Sequence, residues 1–346
     1  MQTPPVGKPV FRAMGRRAAL SPTELVTERP PAEGTTLPLL MCPAAPGVDL
    51  VSWAALERPR IRARLLQYGG VLFRGFDIPS SDVFADIIRA IAGEPLQYTE
   101  QSSPRTAVQG HIYTSTDYPA DETIFLHNEN SYKHEWPLKI FFYCSVPPES
   151  GGETPIADTR RVLARLDPAI VARFEAKGVM YVRHFATGIG LDWRTVFQTQ
   201  DRAGVEAYCE AAGIECAWVG ENGLTTRQVR AAVARHPETG ERSWFNHATF
   251  FHISTLPAHT QQALIANFGE DKLPMNTFYG DGAPIEPEVL DELRAAYRAE
   301  TVVFPWEQHD LLVMDNMLAA HGRRPYRGAR RILVGMSEPT SGNLER

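Results

Sequence analysis

The sequence predicts a mainly β fold with flanking helices, built as a sandwich or barrel whose strands come from distant parts of the chain. Residues 95–160 have a β-like pattern, and the run LKIFFYCSV at 138–146 is apolar on both faces, as in a central strand. Residues 160–240 have a mainly helical pattern. Strand-like segments then return at 243–252, 301–304, 310–315 and 330–336. A sheet-based core with a helical insertion accounts for this order.

The chain has 346 residues and begins with a proline-rich stretch over residues 1–50. Proline has no amide hydrogen to donate and blocks helix continuation, so we predict an extended arm there and regular structure from near Val51. We place a single domain over residues 51–340, with its helical insertion at about 160–240. A short C-terminal tail follows at 341–346.

The first elements of the domain are predicted from caps and stop signals. Residues 53–67 have a helical pattern, and 71–73 form a short apolar run typical of a buried strand. Ser80 or Ser81 can cap the next helix, which should end at Gly93. Two more helices fit residues 256–268 and 287–300.

Composition excludes several classes of protein. Hydrophobic residues make up 43% and charged residues 22%, which are globular values, and the net charge of −6 argues against a nucleic-acid surface. No apolar run approaches a membrane span, so we expect no membrane partner. The four cysteines form no C-x-x-C pair, which predicts reduced thiols in a cytoplasmic protein, with Cys144 in the core.

The strongest chemical signal is His127-Asn128-Glu129. On a strand, residues i and i+2 point to the same face, so an imidazole and a carboxylate would lie side by side. His321, which follows an apolar strand-like run, is the best candidate for a third ligand. Two histidines and one carboxylate form the facial triad of non-haem iron(II) oxygenases, whereas zinc favours a tetrahedral set. A lone H-x-E is weak, and other histidines could be solvated or hydrogen-bonded ones: His134, His247 and His252.

Two further residues suit a dicarboxylate ligand. Arg331 begins a predicted strand after His321, and a strand arginine that points inward beside a metal needs an anionic partner. The alternative is a surface cation in a basic run. Thr154 follows the turn Gly151-Gly152, and its hydroxyl can donate to a carboxylate, although this segment alone is also an ordinary turn.

With these elements placed, the sequence resembles the taurine dioxygenase and clavaminate synthase superfamily of 2-oxoglutarate-dependent oxygenases over roughly residues 60–340. Within it, the sequence is most similar to the syringomycin-type aspartyl hydroxylases. The segments that carry the resemblance are SSPRT (102–106), YTSTDYP (113–119), HNENSY (127–132), GGETPIADTR (151–160), WFNH (244–247) and MDNMLAAHGRRPYRG (314–328).

The resemblance implies a double-stranded β-helix, or jelly-roll, core. It implies Fe(II) held by His127, Glu129 and His321, with 2-oxoglutarate and oxygen as co-substrates. Thr154 and Arg331 would hold the far carboxylate of 2-oxoglutarate. Halogenases of the superfamily have alanine or glycine at the carboxylate position, so Glu129 predicts oxygenation. Taurine dioxygenase has a substrate-binding arginine four residues after the arginine that holds the far carboxylate of 2-oxoglutarate (the clamp arginine). This chain has Gly335 at that position, which argues against a sulfonate substrate.

The expected reaction is hydroxylation of an amino acid, free or tethered to a carrier protein, in natural-product biosynthesis. Desaturation or cyclisation of a free small molecule would use the same site. A zinc hydrolase and a non-catalytic metal-binding jelly roll are alternatives of another class. The first gives Thr154 and Arg331 no role, and the second would normally have a closed metal coordination. Candidate substrate-binding residues, each of which could instead be structural, are Ser102, Ser103, Arg105, Trp244 and Asn246.

Overall fold

A computed structural model describes residues 21–98, 105–185 and 190–341. Its α-helices are α1 (Leu50–Leu56), α2 (Arg58–Tyr68), α3 (Ser81–Ala92), α4 (Thr159–Arg165), α5 (Pro168–Lys177), α6 (Trp193–Phe197), α7 (Arg202–Ala211), α8 (Ala258–Phe268) and α9 (Pro287–Ala299). Its strands are β1 (Val26–Arg29), β2 (Leu39–Pro43), β3 (Gly70–Phe73), β4 (Ala107–Gln109), β5 (Ile112–Thr114), β6 (Ile124–His127), β7 (Glu135–Val146), β8 (Ser150–Gly151), β9 (Ile156–Asp158), β10 (Val179–Phe185), β11 (Glu215–Val219), β12 (Gly223–Arg230), β13 (Val233–Arg235), β14 (Arg242–Trp244), β15 (Met275–Tyr279), β16 (Thr301–Val302), β17 (Leu311–Asp315), β18 (Ala319–Arg323), β19 (Tyr326–Arg327) and β20 (Arg331–Ser341).

Two sheets enclose the central core. The larger has the strand order β1-β2-β3-β17-β7-β20-β5-β4, and the smaller has the order β16-β9-β18-β6. Phe142 of the larger sheet shares one buried apolar cluster with Ile156 and Ala319 of the smaller, so the two sheets pack face to face. Helices α1, α2 and α3 cover the outer face of the larger sheet in a second apolar cluster. The fold therefore combines helices with many strands, as predicted.

The predicted central strand is β7. It pairs antiparallel with β17 on one side and with β20 on the other. Because both of its faces lie against core, its residues from Trp136 to Cys144 are buried, which explains the absence of polar alternation in the sequence. This confirms the interpretation of residues 138–146, with β7 starting earlier, at Glu135.

Several local predictions are also confirmed. The side chain of Ser80 caps α3 by accepting a hydrogen bond from the Val83 amide at 3.3 Å, and the helix ends at Gly93 with φ 84°. Strand β3 and helices α8 and α9 lie within one or two residues of their predicted positions. The helix predicted over 53–67 is divided at Glu57, because Pro59 is confined to the first turn of a new helix.

The N-terminal arm differs from its prediction. Strands β1 and β2 belong to the larger sheet, where β2 runs parallel to β3 with Leu39 opposite Val71. The buried side chains of Leu37, Leu39 and Met41 anchor this part of the arm in the core. Regular structure therefore starts well before Val51, and the prediction for residues 1–20 lies outside the described residues.

The insertion is mixed rather than mainly helical. Strands β11, β12, β10 and β15 form a separate four-stranded sheet. In β12, Leu224, Thr226 and Gln228 are buried alternately, and this period of two identifies a strand within the region 160–240 that was predicted to be mainly helical. The strand predicted at 243–252 is also wrong after Trp244, because turns follow β14.

All four cysteines, which lie in the described part of the chain, are free, and Cys144 is fully buried as predicted. Within the same residues, no helix combines the length and apolar character needed to cross a bilayer.

Candidate metal centre

The two sheet-borne histidines meet across a strand pair. Strand β18 pairs antiparallel with β6, and His321 lies directly opposite His127, with ring centroids 4.5 Å apart. Glu129 follows β6 by two residues. One nitrogen of each histidine and one oxygen of Glu129 all lie within 4.8 Å of one another, and all three residues are buried. The structure therefore brings together the three residues predicted to form a facial triad.

Both imidazoles are prepared to act as neutral ligands. His127 Nδ1 lies 2.9 Å from the carbonyl oxygen of Phe125, so Nδ1 carries the proton and Nε2 is left for a metal. The His127 ring also stacks on Phe250 at 4.1 Å. Burial lowers the pKa of His127, and burial together with His127 lowers the pKa of His321 well below its ordinary value. Neutral imidazole is the form that binds a metal ion.

Glu129 lies in a turn after β6, not on the strand itself, so strand alternation does not orient it. Its backbone is held by Asn316, in the turn between β17 and β18. The Glu129 amide donates to Asn316 Oδ1 at 2.7 Å, and Asn316 Nδ2 donates to the Glu129 carbonyl at 2.8 Å and to Pro137 at 2.9 Å. Asn128 Nδ2 donates in turn to the Asn316 carbonyl at 2.6 Å. Asn316 thus joins the segment bearing Glu129 to the hairpin bearing His321.

We expect Asn316→Ala to weaken metal binding about 10- to 100-fold, because the Glu129 carboxylate loses the support that orients it. Asn246 provides a matched control, since it is equally buried, donates to Ala232 at 2.8 Å and accepts from Ala248 at 2.9 Å, away from the triad. Asn246→Ala should lower the melting temperature by a similar amount and leave Mn(II) affinity, measured by electron paramagnetic resonance, unchanged. Equal losses of affinity in the two variants would reduce the role of Asn316 to general packing.

A buried arginine contacts the triad. Arg105 Nη2 donates to Glu129 Oε2 at 2.7 Å, and both side chains are less than 5% exposed. The same oxygen lies 3.7 Å from His321 Nε2. Burial alone would lower the pKa of Arg105, but Glu129 and Tyr98 together outweigh it through their charge and hydrogen bonding, so that pKa is raised. Two other guanidinium nitrogens, Nε and Nη1, are buried without a hydrogen-bond partner.

The triad fits a divalent iron ion. Two imidazole nitrogens and one carboxylate oxygen on one side of a common point are the donor set of non-haem Fe(II) sites, which keep further positions free for ligands. A closed structural zinc site would need a fourth donor, and among the described residues the cluster contains no other histidine, cysteine, aspartate or glutamate.

A small cavity beside the triad is lined by Thr154 and Arg330. Arg330 is held by its Nε, which donates to the Gly152 carbonyl at 2.9 Å, and by Nη1, which lies 3.2 Å from Ser115 Oγ. Thr154 Oγ1 accepts from Trp306 Nε1 at 3.2 Å. Burial, together with the nearby Arg323, lowers the pKa of Arg330 to about 10. Among the described residues no carboxylate forms an ion pair with Arg330, so the cavity offers a cation without an anion.

Gly152 allows this arrangement. Its φ is 69°, and a Cβ there would lie 2.9 Å from Tyr326 and 3.0 Å from the Arg330 side chain. Only glycine therefore lets the turn before Thr154 approach Arg330 this closely.

The prediction that Arg331 points inward is wrong. The Arg331 side chain is exposed and does not line the cavity, whereas its neighbour Arg330 does. A bulge separates Arg331 from Ile332 in the pairing of β20 with β7. The inward face of β20 carries Ile332 and Val334. Gly335 faces α3, where an added Cβ would collide with Ile88, so its lack of a side chain says nothing about the substrate.

A larger cavity of about 340 Å³ is lined by His127 and Glu129 of the triad. Most of its wall is apolar, with Phe125, Phe250, Phe251, Leu256, Leu264 and Met275. Its polar wall includes Arg105 and His247. His247 Nδ1 lies 2.6 Å from Ser131 Oγ, and burial lowers the pKa of His247 well below its ordinary value. A neutral imidazole therefore borders the cavity beside the triad.

The predicted substrate-binding residues divide into three groups. Arg105 lines both cavities. Trp244 and Asn246 line neither: Trp244 packs edge-to-face on Phe174 in the core, and Asn246 is used in backbone hydrogen bonds, so both are structural. Ser102 and Ser103 lie outside the described residues. Within the WFNH segment only His247 lines the larger cavity.

Comparison with known proteins identifies relatives along most of the chain. The family profile described as "Taurine catabolism dioxygenase TauD, TfdA family" matches residues 33–337. The dapdiamide synthesis protein DdaC of Enterobacter agglomerans is 42% identical over 281 residues, covering 81% of this chain and 85% of that protein. A clavaminate synthase-like protein of Arabidopsis thaliana is 31% identical over 317 residues, covering 89% and 91%.

The fold also matches solved structures. The PvcB protein of Pseudomonas aeruginosa superposes with a TM-score of 0.54 at 16% identity, covering 92% of this chain and 93% of that one. A second structure of PvcB is described as an Fe, alpha-ketoglutarate dependent oxygenase from an isonitrile synthetic pathway. A taurine dioxygenase from Burkholderia xenovorans superposes equally well, with a TM-score of 0.54 at 16% identity and 93% coverage of both chains.

Proposed function

Because the chain belongs to the TauD/TfdA family and is an Fe(II)- and 2-oxoglutarate-dependent dioxygenase, we propose that it hydroxylates a C–H bond of an amino acid in natural-product biosynthesis. The amino acid is free or presented as an aminoacyl or peptidyl group on a carrier protein. The observation that supports this most is the cavity of about 340 Å³ that reaches the triad at His127 and Glu129. The name of the relative DdaC, a dapdiamide synthesis protein, supports the biosynthetic setting.

In this proposal His127, Glu129 and His321 hold the iron, and Thr154 and Arg330 hold the far carboxylate of 2-oxoglutarate. Iron with 2-oxoglutarate and oxygen supplies the oxidant that removes hydrogen from carbon. The protein provides two neutral imidazoles and an oriented carboxylate as metal ligands, and Arg330 as a cation that can pair with the carboxylate of the co-substrate. The apolar wall formed by Phe125, Phe250 and Met275 excludes water and positions the target C–H bond.

Glu129 favours oxygenation over halogenation. Its carboxylate fills the position that halogenases of the superfamily leave to chloride, and Asn316 fixes its backbone through two hydrogen bonds. The family membership also decides against the zinc hydrolase and the non-catalytic module, since neither uses 2-oxoglutarate.

The charge of the large cavity favours a carrier-bound substrate over a free acid. Of the described residues that line it, Arg105 is the only arginine or lysine, and it lies at the triad, where it contacts Glu129. The rest of the described lining offers no arginine or lysine to the carboxylate of a free amino acid. A thioester on a carrier protein has no such charge.

The test compares each candidate amino acid in its free form with the same amino acid loaded on a carrier protein. We expect a mass increase of one oxygen on the carrier-bound form, with succinate formed in equal amount, and no change when 2-oxoglutarate is omitted. Efficient oxidation of the free acid would overturn the tethering step. A chlorinated product in place of the oxygenated one, with chloride present, would overturn hydroxylation.

We also infer that the two facing sheets are the halves of a double-stranded β-helix. The shared cluster that contains Phe142, Ile156 and Ala319 supports this. The division into one domain with an N-terminal arm and a C-terminal tail stays a prediction, as do the cytoplasmic location and the absence of nucleic-acid partners.

A further inference from the structure

The small cavity beside the triad has an unusual charge for a buried site. Arg105, which pairs with Glu129, and Arg330 both line it, and so do Thr154, His127 and His321. A third arginine, Arg323, has only Nε unpaired, because its Nη1 donates to the Tyr118 carbonyl and its Nη2 to the Glu122 carbonyl, each at 2.9 Å. No aspartate or glutamate is among the described residues that line this cavity. Its composition fits a ligand with more than one negative charge, such as a dicarboxylate.

Arg105 is not satisfied by its present contacts. One guanidinium nitrogen is bonded to Glu129, while Nε and Nη1 are buried without a hydrogen-bond partner. The face of the guanidinium lies over the Tyr98 ring, 4.8 Å from its centroid, which fixes the plane of the group. Leaving such donors unpaired is costly, so a ligand that reaches them would be bound strongly.

We propose that Arg105 is a second carboxylate-binding residue for the co-substrate, and that it holds the carboxylate next to the keto group while Arg330 holds the far one. This rests on the proposed assignment of the triad and of Arg330. The charge of Glu129 balances that of Arg105. A divalent ion held by the triad would draw on the same carboxylate, and Arg105 would then need another anion. A dicarboxylate with one end at the metal provides it.

Two other roles for Arg105 compete with this one. Arg105 also borders the large cavity, so it could bind a carboxylate of the substrate instead. It could also serve only as the counter-ion of Glu129. The three roles differ in which ligand loses affinity when the charge is removed, and this difference can be measured without turnover.

The experiment titrates the anaerobic Fe(II) protein with two keto acids and follows the visible absorption band of the chelate. 2-Oxoglutarate has both carboxylates, and 2-oxobutyrate lacks the far one. We expect Arg105→Gln to weaken both keto acids by the same factor, roughly tenfold or more. Arg330→Gln should weaken 2-oxoglutarate by a similar factor and leave 2-oxobutyrate unchanged. Arg105→Lys, which keeps the charge, should restore most of the lost affinity.

If Arg105→Gln leaves the affinity for both keto acids unchanged, the inference is overturned and Arg105 is a counter-ion or a substrate residue. A loss of affinity for the carrier-bound substrate alone, measured as the shift of the chelate band when that substrate is added, would assign Arg105 to the substrate and overturn the inference as well. If instead Arg330→Gln has no effect, the proposed co-substrate clamp fails, independently of Arg105. Should the glutamine variant not fold, Arg105→Met replaces it, and equal affinities of Arg105→Lys and Arg105→Met for 2-oxobutyrate would contradict the inference.

Discussion

His321→Ala is expected to abolish Fe(II) binding at micromolar concentration and to reduce succinate formation by more than about 100-fold. The reason is the ligand count: His321 contributes one of three donor atoms that lie within 4.8 Å of one another, and its loss leaves one imidazole and one carboxylate, which should bind the ion much more weakly. The measurement is metal content after gel filtration, followed by succinate assay. Circular dichroism shows whether the variant is folded.

His247→Ala is the matched control for this loss. His247 is also a buried imidazole beside the triad, with its ring 5.6 Å from that of His127, but its Nδ1 is bonded to Ser131 and it lies outside the cluster of ligand atoms. We expect His247→Ala to keep its iron. If both variants lose the metal equally, the triad assignment is wrong or the ligand set includes His247.

Glu129→Ala extends the same reasoning to the carboxylate. This variant removes the only acidic member of the triad and leaves Arg105 without its ion-pair partner. Native hydroxylation should therefore be lost even where some iron binds.

The triad could be predicted from the sequence because its chemistry requires particular residue types. An imidazole and a carboxylate two residues apart, and a histidine after an apolar strand, leave few alternatives once a turn threonine and an arginine accompany them. Strand alternation alone, however, does not orient Glu129. Its backbone is held by hydrogen bonds to Asn316, which lies in the turn between β17 of the larger sheet and β18 of the smaller one. A contact between residues so far apart in the chain cannot be seen in the local sequence.

Predictions that depended on tertiary packing were less successful. Trp244 and Asn246 were candidates for substrate binding that could equally be structural, and in the fold Trp244 packs on Phe174 while Asn246 donates to the Ala232 carbonyl. In β12 the polar residues Thr226 and Gln228 are buried, so the usual division into apolar inside and polar outside does not identify its faces. For such segments the neighbouring elements, not the local sequence, decide the structure.

The clamp arginine shows how a strand register can be lost by one residue. Residues 332–336 are apolar or glycine and are buried on both faces, because β20 lies between β7 and β5 with helix α3 behind it. Alternation therefore gives no indication of which arginine points inward. The bulge between Arg331 and Ile332 cannot be seen in the sequence either.

Because Arg330 is the arginine that lines the cavity, Arg330→Ala is expected to weaken 2-oxoglutarate binding strongly. A charge-assisted pair in a desolvated site contributes about 2–5 kcal/mol, so the Kd for 2-oxoglutarate should rise roughly 30-fold or more. Iron binding should change little, because Arg330 contacts Gly152 and Ser115 rather than the triad. Arg331→Ala also removes an arginine side chain, but from the next position along the chain, which is exposed. The Kd of this variant for 2-oxoglutarate should stay within about twofold of that of the unmodified protein, since an exposed charge is screened by solvent.

The two variants are compared by anaerobic titration of the Fe(II) protein with 2-oxoglutarate, following the chelate band. Because they differ in position and not in chemistry, general effects of losing an arginine cancel between them. A larger loss in Arg331→Ala would place the clamp on the other face of β20 and would require a register in which Arg331, not Arg330, borders Thr154. Equal losses would instead show that the positive field of the whole basic run attracts the dianion, which raising the ionic strength would then weaken in both variants alike.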